Sequence, residues 1–124
     1  MEIKVVRQEA AQPVTVMQID GRINLGNADR LHASALEAYQ NGTRNLVLDL
    51  SAVESITSAG LRSILAIHKM LASEDAPSPA GASAKSRHLK LVNPTPQVRK
   101  VLTTAGFTEI LEIYDELSEA AGSF

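Results

Sequence analysis

The sequence predicts an α/β fold: a mixed sheet of four or five strands, mostly parallel, with about four helices. Two observations support this prediction. Strand and helix patterns alternate along most of the 124 residues, and such alternation is typical of parallel strands joined by right-handed helical crossovers. The run NLVLDL, residues 45–50, is nearly all apolar, as expected for a central strand covered on both faces. We expect one domain over residues 1–124.

Two strand patterns open the chain, EIKVVR at 2–7 and PVTVMQIDG at 13–21. The gap between them is short enough for an antiparallel hairpin. The second pattern alternates, and Gly21 is predicted to end it. Two further strands are predicted after the central one, HLKLVN at 88–93 and EILEIY at 109–114.

Four helices are predicted between and after these strands, because apolar residues recur at helical spacing. Asn27 and Thr95 precede two of them and are typical N-cap residues. The expected starts are Ala28, Ser58, Pro96 and Asp115. The expected apolar positions are Ala28, Leu31, Ala35, Leu36 and Tyr39 in the first helix, and Leu61, Ile64, Leu65, Ile67, His68 and Leu71 in the second.

The stretch SEDAPSPAGASAKS, residues 73–86, fits neither period. Its residues are small and polar, and it contains two prolines. Such a composition is typical of connecting segments. We expect a flexible internal loop here.

Composition argues against several classes of protein. The net charge of −2 argues against a nucleic-acid partner. There is no cysteine, and the three histidines lack metal-ligand spacing. We therefore expect no cofactor and no metal. No apolar run is long enough for a membrane span or a signal peptide, so we expect a cytoplasmic protein without a membrane partner.

Small and hydroxylated residues follow the central strand, in the segment SITSAGL at 55–61. In open α/β sheets this edge is where ligands and partners bind. A hydroxyl at Thr57 or Ser58 could cap the helix, or it could carry a phosphate beside the free N–H groups of the helix start. Ala59 and Gly60 are small, and we expect them to leave Ser58 accessible. The residues alone leave capping and a functional hydroxyl as alternatives.

The segment LVLDLSAVESITSAGLRSIL, residues 46–65, resembles the signature of STAS domains, the fold of bacterial anti-sigma factor antagonists. VMQIDGRINLGNADRL, residues 16–31, is similar to the family's second strand, turn and first helix. HLKLVNPTPQVRKVLTTAGFTEILEIYDE, residues 88–116, is similar to its later elements. The resemblance therefore extends across nearly the whole chain and implies a STAS-like fold.

The resemblance also implies a function without catalysis. In the antagonists, an anti-sigma factor of the histidine-kinase ATPase class phosphorylates a serine, which corresponds to Ser58. The unphosphorylated antagonist binds that kinase, and a serine phosphatase restores it. Two residues depart from the family pattern, since Thr57 and Asn24 stand where acidic residues are common. Thr57 is therefore an alternative acceptor.

The expected contact face combines a turn with the start of the second helix. Arg22, Arg30 and Arg62 could add charge complementarity to an acidic partner. No nucleophile motif ties a base to Ser58, so we expect no enzyme. The alternative is a ligand-binding or scaffold STAS module without phosphorylation. The predicted contact residues are Asn24, Leu25, Asn27, Ile56, Thr57, Ser58, Ala59, Gly60, Leu61 and Arg62.

Overall fold

The fold is seen in a computed structural model that describes residues 1–9, 12–73 and 86–124. The strands are β1 (Glu2–Glu9), β2 (Pro13–Ile23), β3 (Leu46–Ile56), β4 (Leu89–Val92) and β5 (Glu112–Tyr114). The helices are α1 (Ala28–Gln40), α2 (Ser58–Ala72), α3 (Pro96–Thr104) and α4 (Leu117–Gly122), with a 3-10 turn at Phe107–Glu109.

The strands lie in one sheet in chain order, β1-β2-β3-β4-β5. The β1–β2 pair is antiparallel and the other pairs are parallel. This confirms the predicted mixed α/β sheet with an N-terminal hairpin.

Both faces of the central strand β3 are covered. Leu46, Leu48 and Leu50 pack in a cluster with residues of α1, α2 and α3. Val47 packs on the opposite face, with Val14, Val16 and Val92, against Ala120 and Ala121 of α4. The absence of alternation in NLVLDL follows from this two-sided burial.

Strands β2 and β3 both run further than the sequence predicts. Gly21 does not end β2, which continues to Ile23, and the β2–β3 register shifts between Gly21 and Arg22. Gly21 has φ of 104°, a value that glycine adopts without steric cost. The two strands remain paired up to Ile23 and Ile56, and their ends carry the candidate site.

The last strand and two helix faces also differ from the predictions. Strand β5 covers only Glu112–Tyr114, because the 3-10 turn occupies the chain before it. Leu36 of α1 is 36% exposed, whereas its helical spacing predicts a position on the buried face. On α2 the half-buried His68 lies on the predicted face, whereas Ser63, which was not among the predicted apolar positions, is buried.

The predicted flexible loop, 73–86, lies outside the described residues except at its two ends. Ser73 follows α2, and Ser86 is buried before β4. Within the described ranges, no helix combines the length and apolar character that crossing a bilayer would need.

Candidate functional site

The candidate site lies where β2 and β3 end side by side. Their last residues, Ile23 and Ile56, are register partners. The N–H of Thr57 continues the pairing by donating to the carbonyl of Ile23 at 3.0 Å. The carbonyl of Thr57 then accepts from the N–H of Leu61 at 3.0 Å, which begins α2. Strand pairing thus fixes the start of this helix at the sheet edge.

The hydroxyls of Thr57 and Ser58 are both on exposed residues at that start. Thr57 occupies the N-cap position, but its side chain makes no capping hydrogen bond, and α2 has no acidic residue in its first turn. The positive end of the helix therefore has neither a side-chain cap nor a neighbouring carboxylate within its own first turn. Capping, one of the two interpretations left open by the sequence, does not occupy the Thr57 hydroxyl.

A compact turn at Asn24–Asn27 stands next to the helix start. The N–H of Asn24 donates to Oδ1 of Asn27, and the N–H of Gly26 donates to Oδ1 of Asn24, both at 2.9 Å. Nδ2 of Asn27 donates to the carbonyl of Arg22 at 2.7 Å. Asn27 is at the N-cap position of α1 as predicted, but its side chain binds the turn and does not cap the helix. The turn holds Leu25 at its tip, 82% exposed.

A groove of about 290 Å³ runs between α1 and α2 beside this turn. Its lining includes the small residues Ala28 and Ala59, together with Leu25 and Arg62. Oγ of the buried Ser63 donates to the carbonyl of Ala28 at 2.8 Å and links the two helices. Ser63 was not identified from the sequence. Its only signal was its small side chain three residues after Gly60, a spacing that places the two residues on neighbouring positions of one helix face.

Two predicted contact residues are buried instead of exposed. Ile56 is 6% exposed, and Gly60 is buried in the first turn of α2. A Cβ atom on Gly60 would lie 2.6 Å from Cγ1 of Ile56 and 2.7 Å from Cγ2 of Ile23. Gly60 is therefore small because α2 packs closely on the strand ends, and both residues support the site from below. Leu61 is half-buried and packs against the core.

The three arginines considered for the site have different surroundings. Nε of Arg22 pairs with a carboxylate oxygen of Glu54 at 3.1 Å, with both side chains largely exposed. Arg30 donates to the carbonyl of Met1 at 3.3 Å. Arg62 is exposed and makes no ion pair or hydrogen bond with the described part of the chain.

The part of the sequence that forms this edge matches a known protein family. Residues 4–77 match the STAS domain. This chain belongs to the STAS domain family. The matched residues include most of β1 and the whole of β2, β3, α1 and α2, so the turn, the groove and the start of α2 all lie inside the STAS match.

Relatives of this STAS domain extend the likeness to most of its length. BtrV of Bordetella bronchiseptica, named as an anti-sigma factor antagonist, is 31% identical over 106 residues, covering 86% of this chain and 82% of BtrV. A Thermotoga maritima crystal structure, described in the same terms, is 29% identical with a TM-score of 0.71, covering 86% of this chain and 83% of that one.

The anti-sigma factor antagonist SpoIIAA shares the fold of this STAS domain in two states. Its unphosphorylated form matches with a TM-score of 0.62 at 17% identity, covering 95% of this chain and 94% of SpoIIAA. The phosphorylated form, from Bacillus, matches with a TM-score of 0.63 at 16% identity, covering 94% and 96%. The sheet and its helices are thus common to both forms and to this chain.

Proposed function

We propose that this STAS domain is an anti-sigma factor antagonist, a cytoplasmic binding protein without catalytic activity of its own. Its unmodified edge binds an anti-sigma factor of the histidine-kinase ATPase class. The 31% identity to BtrV, over most of both chains, supports the general assignment. The exposed Leu25 beside the groove supports a protein-binding edge, since exposed apolar residues near concave surfaces are typical of interfaces.

Phosphorylation of Ser58 is the control that the site supports best. The single observation that carries this proposal is that Ser58 is exposed in the first turn of α2, where the Thr57 side chain leaves the helix uncapped. In the reaction the Ser58 oxygen attacks the γ-phosphorus of ATP, its proton passes to a base of the kinase, and ADP leaves. The free N–H groups of the helix start favour the resulting anion.

The proposed switch acts on binding and leaves the fold intact. A phosphate adds about 1.5 to 2 negative charges. In the isolated domain this charge stays in water at an exposed residue. In a complex it would be buried against a partner that offers no cation to match it, which costs several kcal/mol. Since about 1.4 kcal/mol changes an affinity tenfold, phosphorylation would release the partner, and a serine phosphatase would restore binding.

Mass spectrometry tests the proposal directly. The domain is incubated with the kinase-type anti-sigma factor from the same source, ATP and magnesium, and we expect a gain of about 80 Da, one phosphoryl group. Ser58→Ala should abolish the gain and keep binding, while Ser58→Glu should weaken binding. Ser118→Ala is the matched control, because Ser118 is another exposed serine in the first turn of a helix, α4.

Two outcomes would contradict this assignment. A gain that persists in Ser58→Ala and disappears in Thr57→Ala would make Thr57 the acceptor. An unmodified chain that binds no anti-sigma factor but binds a small molecule would favour the alternative, a ligand-binding or scaffold STAS module.

A further inference from the structure

Arg62 stands one helical turn after Ser58 on α2. Residues four apart on a helix are neighbours, with about 5–6 Å between their Cβ atoms. Side chains on a helix lean towards its N-terminus, so an arginine at position 62 can extend from its own turn back towards Ser58. Its guanidinium can therefore reach the space next to the Ser58 hydroxyl.

Arg62 is the arginine of this edge that no described residue engages. Arg22 pairs with Glu54, and Arg30 donates to the carbonyl of Met1. Asp29 lines the same groove as Arg62, yet within the described ranges the two form no ion pair. An exposed guanidinium without a partner keeps its hydrogen-bond donors available for another molecule.

We propose that Arg62 has two alternative partners: an acidic side chain of the bound protein when Ser58 is unmodified, and the phosphate on Ser58 when it is phosphorylated. This inference rests on the proposed function and adds a regulatory role for one residue. A guanidinium can bind either a carboxylate or a phosphate through two parallel hydrogen bonds. Because the residue lines the groove and neighbours Ser58, one side chain can serve both positions.

This exchange of partners by Arg62 would strengthen the effect of phosphorylation on binding. Phosphorylation adds a negative charge to the edge, and it also withdraws from the partner the cation that attracted it. The partner would lose an ion pair at the moment when a like charge appears. The phosphate itself would be partly neutralised within the domain, so the modified protein gains a local contact at little cost to its fold.

Phosphorus NMR tests the intramolecular half of the exchange. Phosphoserine is built into position 58 during protein synthesis, so the measurement does not depend on any kinase. A nearby cation lowers the second pKa of a phosphate. We expect Arg62→Gln to raise that pKa by about 0.5 units. Lys69→Gln should leave it unchanged, because Lys69 is an exposed cation of the same helix about two turns further on.

An equal phosphate pKa in the Arg62→Gln and parent proteins would overturn the intramolecular pairing. That result would leave the proposed function intact, because phosphorylation by a kinase is measured separately by mass. A phosphate pKa that rises equally in Arg62→Gln and Lys69→Gln would also overturn it, since the effect would then come from net charge.

Binding measurements on the unmodified protein test whether Arg62 also pairs with an acidic side chain of the partner. Titrations with the anti-sigma factor at two salt concentrations should show that Arg62→Gln weakens affinity roughly fivefold at low salt and less at high salt. Arg62→Lys should recover part of the loss, because it keeps the charge without the fork of donors. Unchanged affinity and salt dependence in Arg62→Gln would show that the partner does not use this cation.

Discussion

At the scale of single residues, Gly60 determines how closely α2 approaches the sheet. Its Cα lies over Ile23 and Ile56, the last residues of two paired strands, with no space for a side-chain carbon. The N–H of Thr57 bonds to the carbonyl of Ile23, so strand pairing and the close packing of Gly60 act together on the start of this helix. The exposed hydroxyl of Ser58 is therefore positioned by a buried residue two places further along.

Gly60→Ala should destabilise the protein, although alanine favours a helix over glycine by about 1 kcal/mol. The new Cβ would lie 2.6 Å from a carbon of Ile56, and overpacking of a core typically costs about 1 to 3 kcal/mol. The difference between this cost and the helix preference is a net loss of up to about 2 kcal/mol in the free energy of unfolding, measured by urea denaturation.

Gly122→Ala is the control for this substitution. Gly122 ends α4, and a Cβ there would meet nothing within 4 Å. We expect no loss of stability from it. If Gly60→Ala were as stable as Gly122→Ala, close packing would not explain the glycine.

The packing role of Gly60 could have been read from its spacing. Gly60, Ile64, Ile67 and Leu71 follow one another at four, three and four residues and form the buried stripe of α2. The prediction treated Gly60 as part of an open surface, because a glycine carries no hydrophobic signal of its own. The same sequence did predict Ser58 correctly as the first residue of the helix.

At the scale of elements, α2 and α3 start in different ways. Both have threonine at the N-cap, Thr57 and Thr95. Oγ1 of Thr95 accepts from the N–H of Val98 at 3.3 Å, whereas Thr57 makes no such bond. Sequence predicts both threonines equally well as caps. The two threonines differ in backbone conformation, with φ of −99° at Thr57 and −61° at Thr95. The missing cap leaves the start of α2 available for another group.

Replacement of each cap by alanine tests this difference. Thr95→Ala should cost about 1 kcal/mol, the usual value of a lost N-cap hydrogen bond. Thr57→Ala should change stability by no more than about 0.5 kcal/mol, as surface substitutions do. Thermal and urea unfolding of both variants provide the measurement. Equal losses would mean that the Thr57 hydroxyl does cap α2 in solution.

The lengths of the strands show what a sequence pattern cannot supply. The residues of β3 from Ser51 to Ile56 include four that are exposed or half-buried polar or small residues, so they carry no buried-strand pattern. They are extended because the bulged end of β2 pairs with them. That pairing joins residues about 30 apart in the chain, and no local pattern encodes it.

At the scale of the whole molecule, helices cover the two faces of the sheet unequally. Three helices share one cluster with β3, and α4 covers the other face near Val47 and Val92. The parallel pairing of β2, β3, β4 and β5 followed from the alternation of strand and helix patterns in the sequence. The sequence did not predict which helix lies on which face of the sheet, because its pattern indicates only that β3 is buried on both faces.

Global stability should depend on pH through His68. Burial, with a smaller contribution from Lys69, lowers the pKa of His68 below 6.5. Its Nδ1 is buried, and it has no hydrogen-bond partner among the residues that the structure describes. The unfolded chain therefore takes up a proton more readily than the folded one. The contribution of neutral His68 to the free energy of unfolding is therefore complete above the pKa that this histidine has in the unfolded chain. It is lost as the pH falls from there through the lower pKa of His68 in the folded state.

Urea unfolding between about pH 7.5 and about pH 5.5 measures this dependence above the range where most carboxylates titrate. We expect stability to fall towards the lower pH, with a slope of at most about 1.4 kcal/mol per pH unit for one proton. His68→Gln should flatten the curve, since glutamine does not titrate there. A His68→Gln curve as steep as that of the parent would assign the pH dependence to other groups.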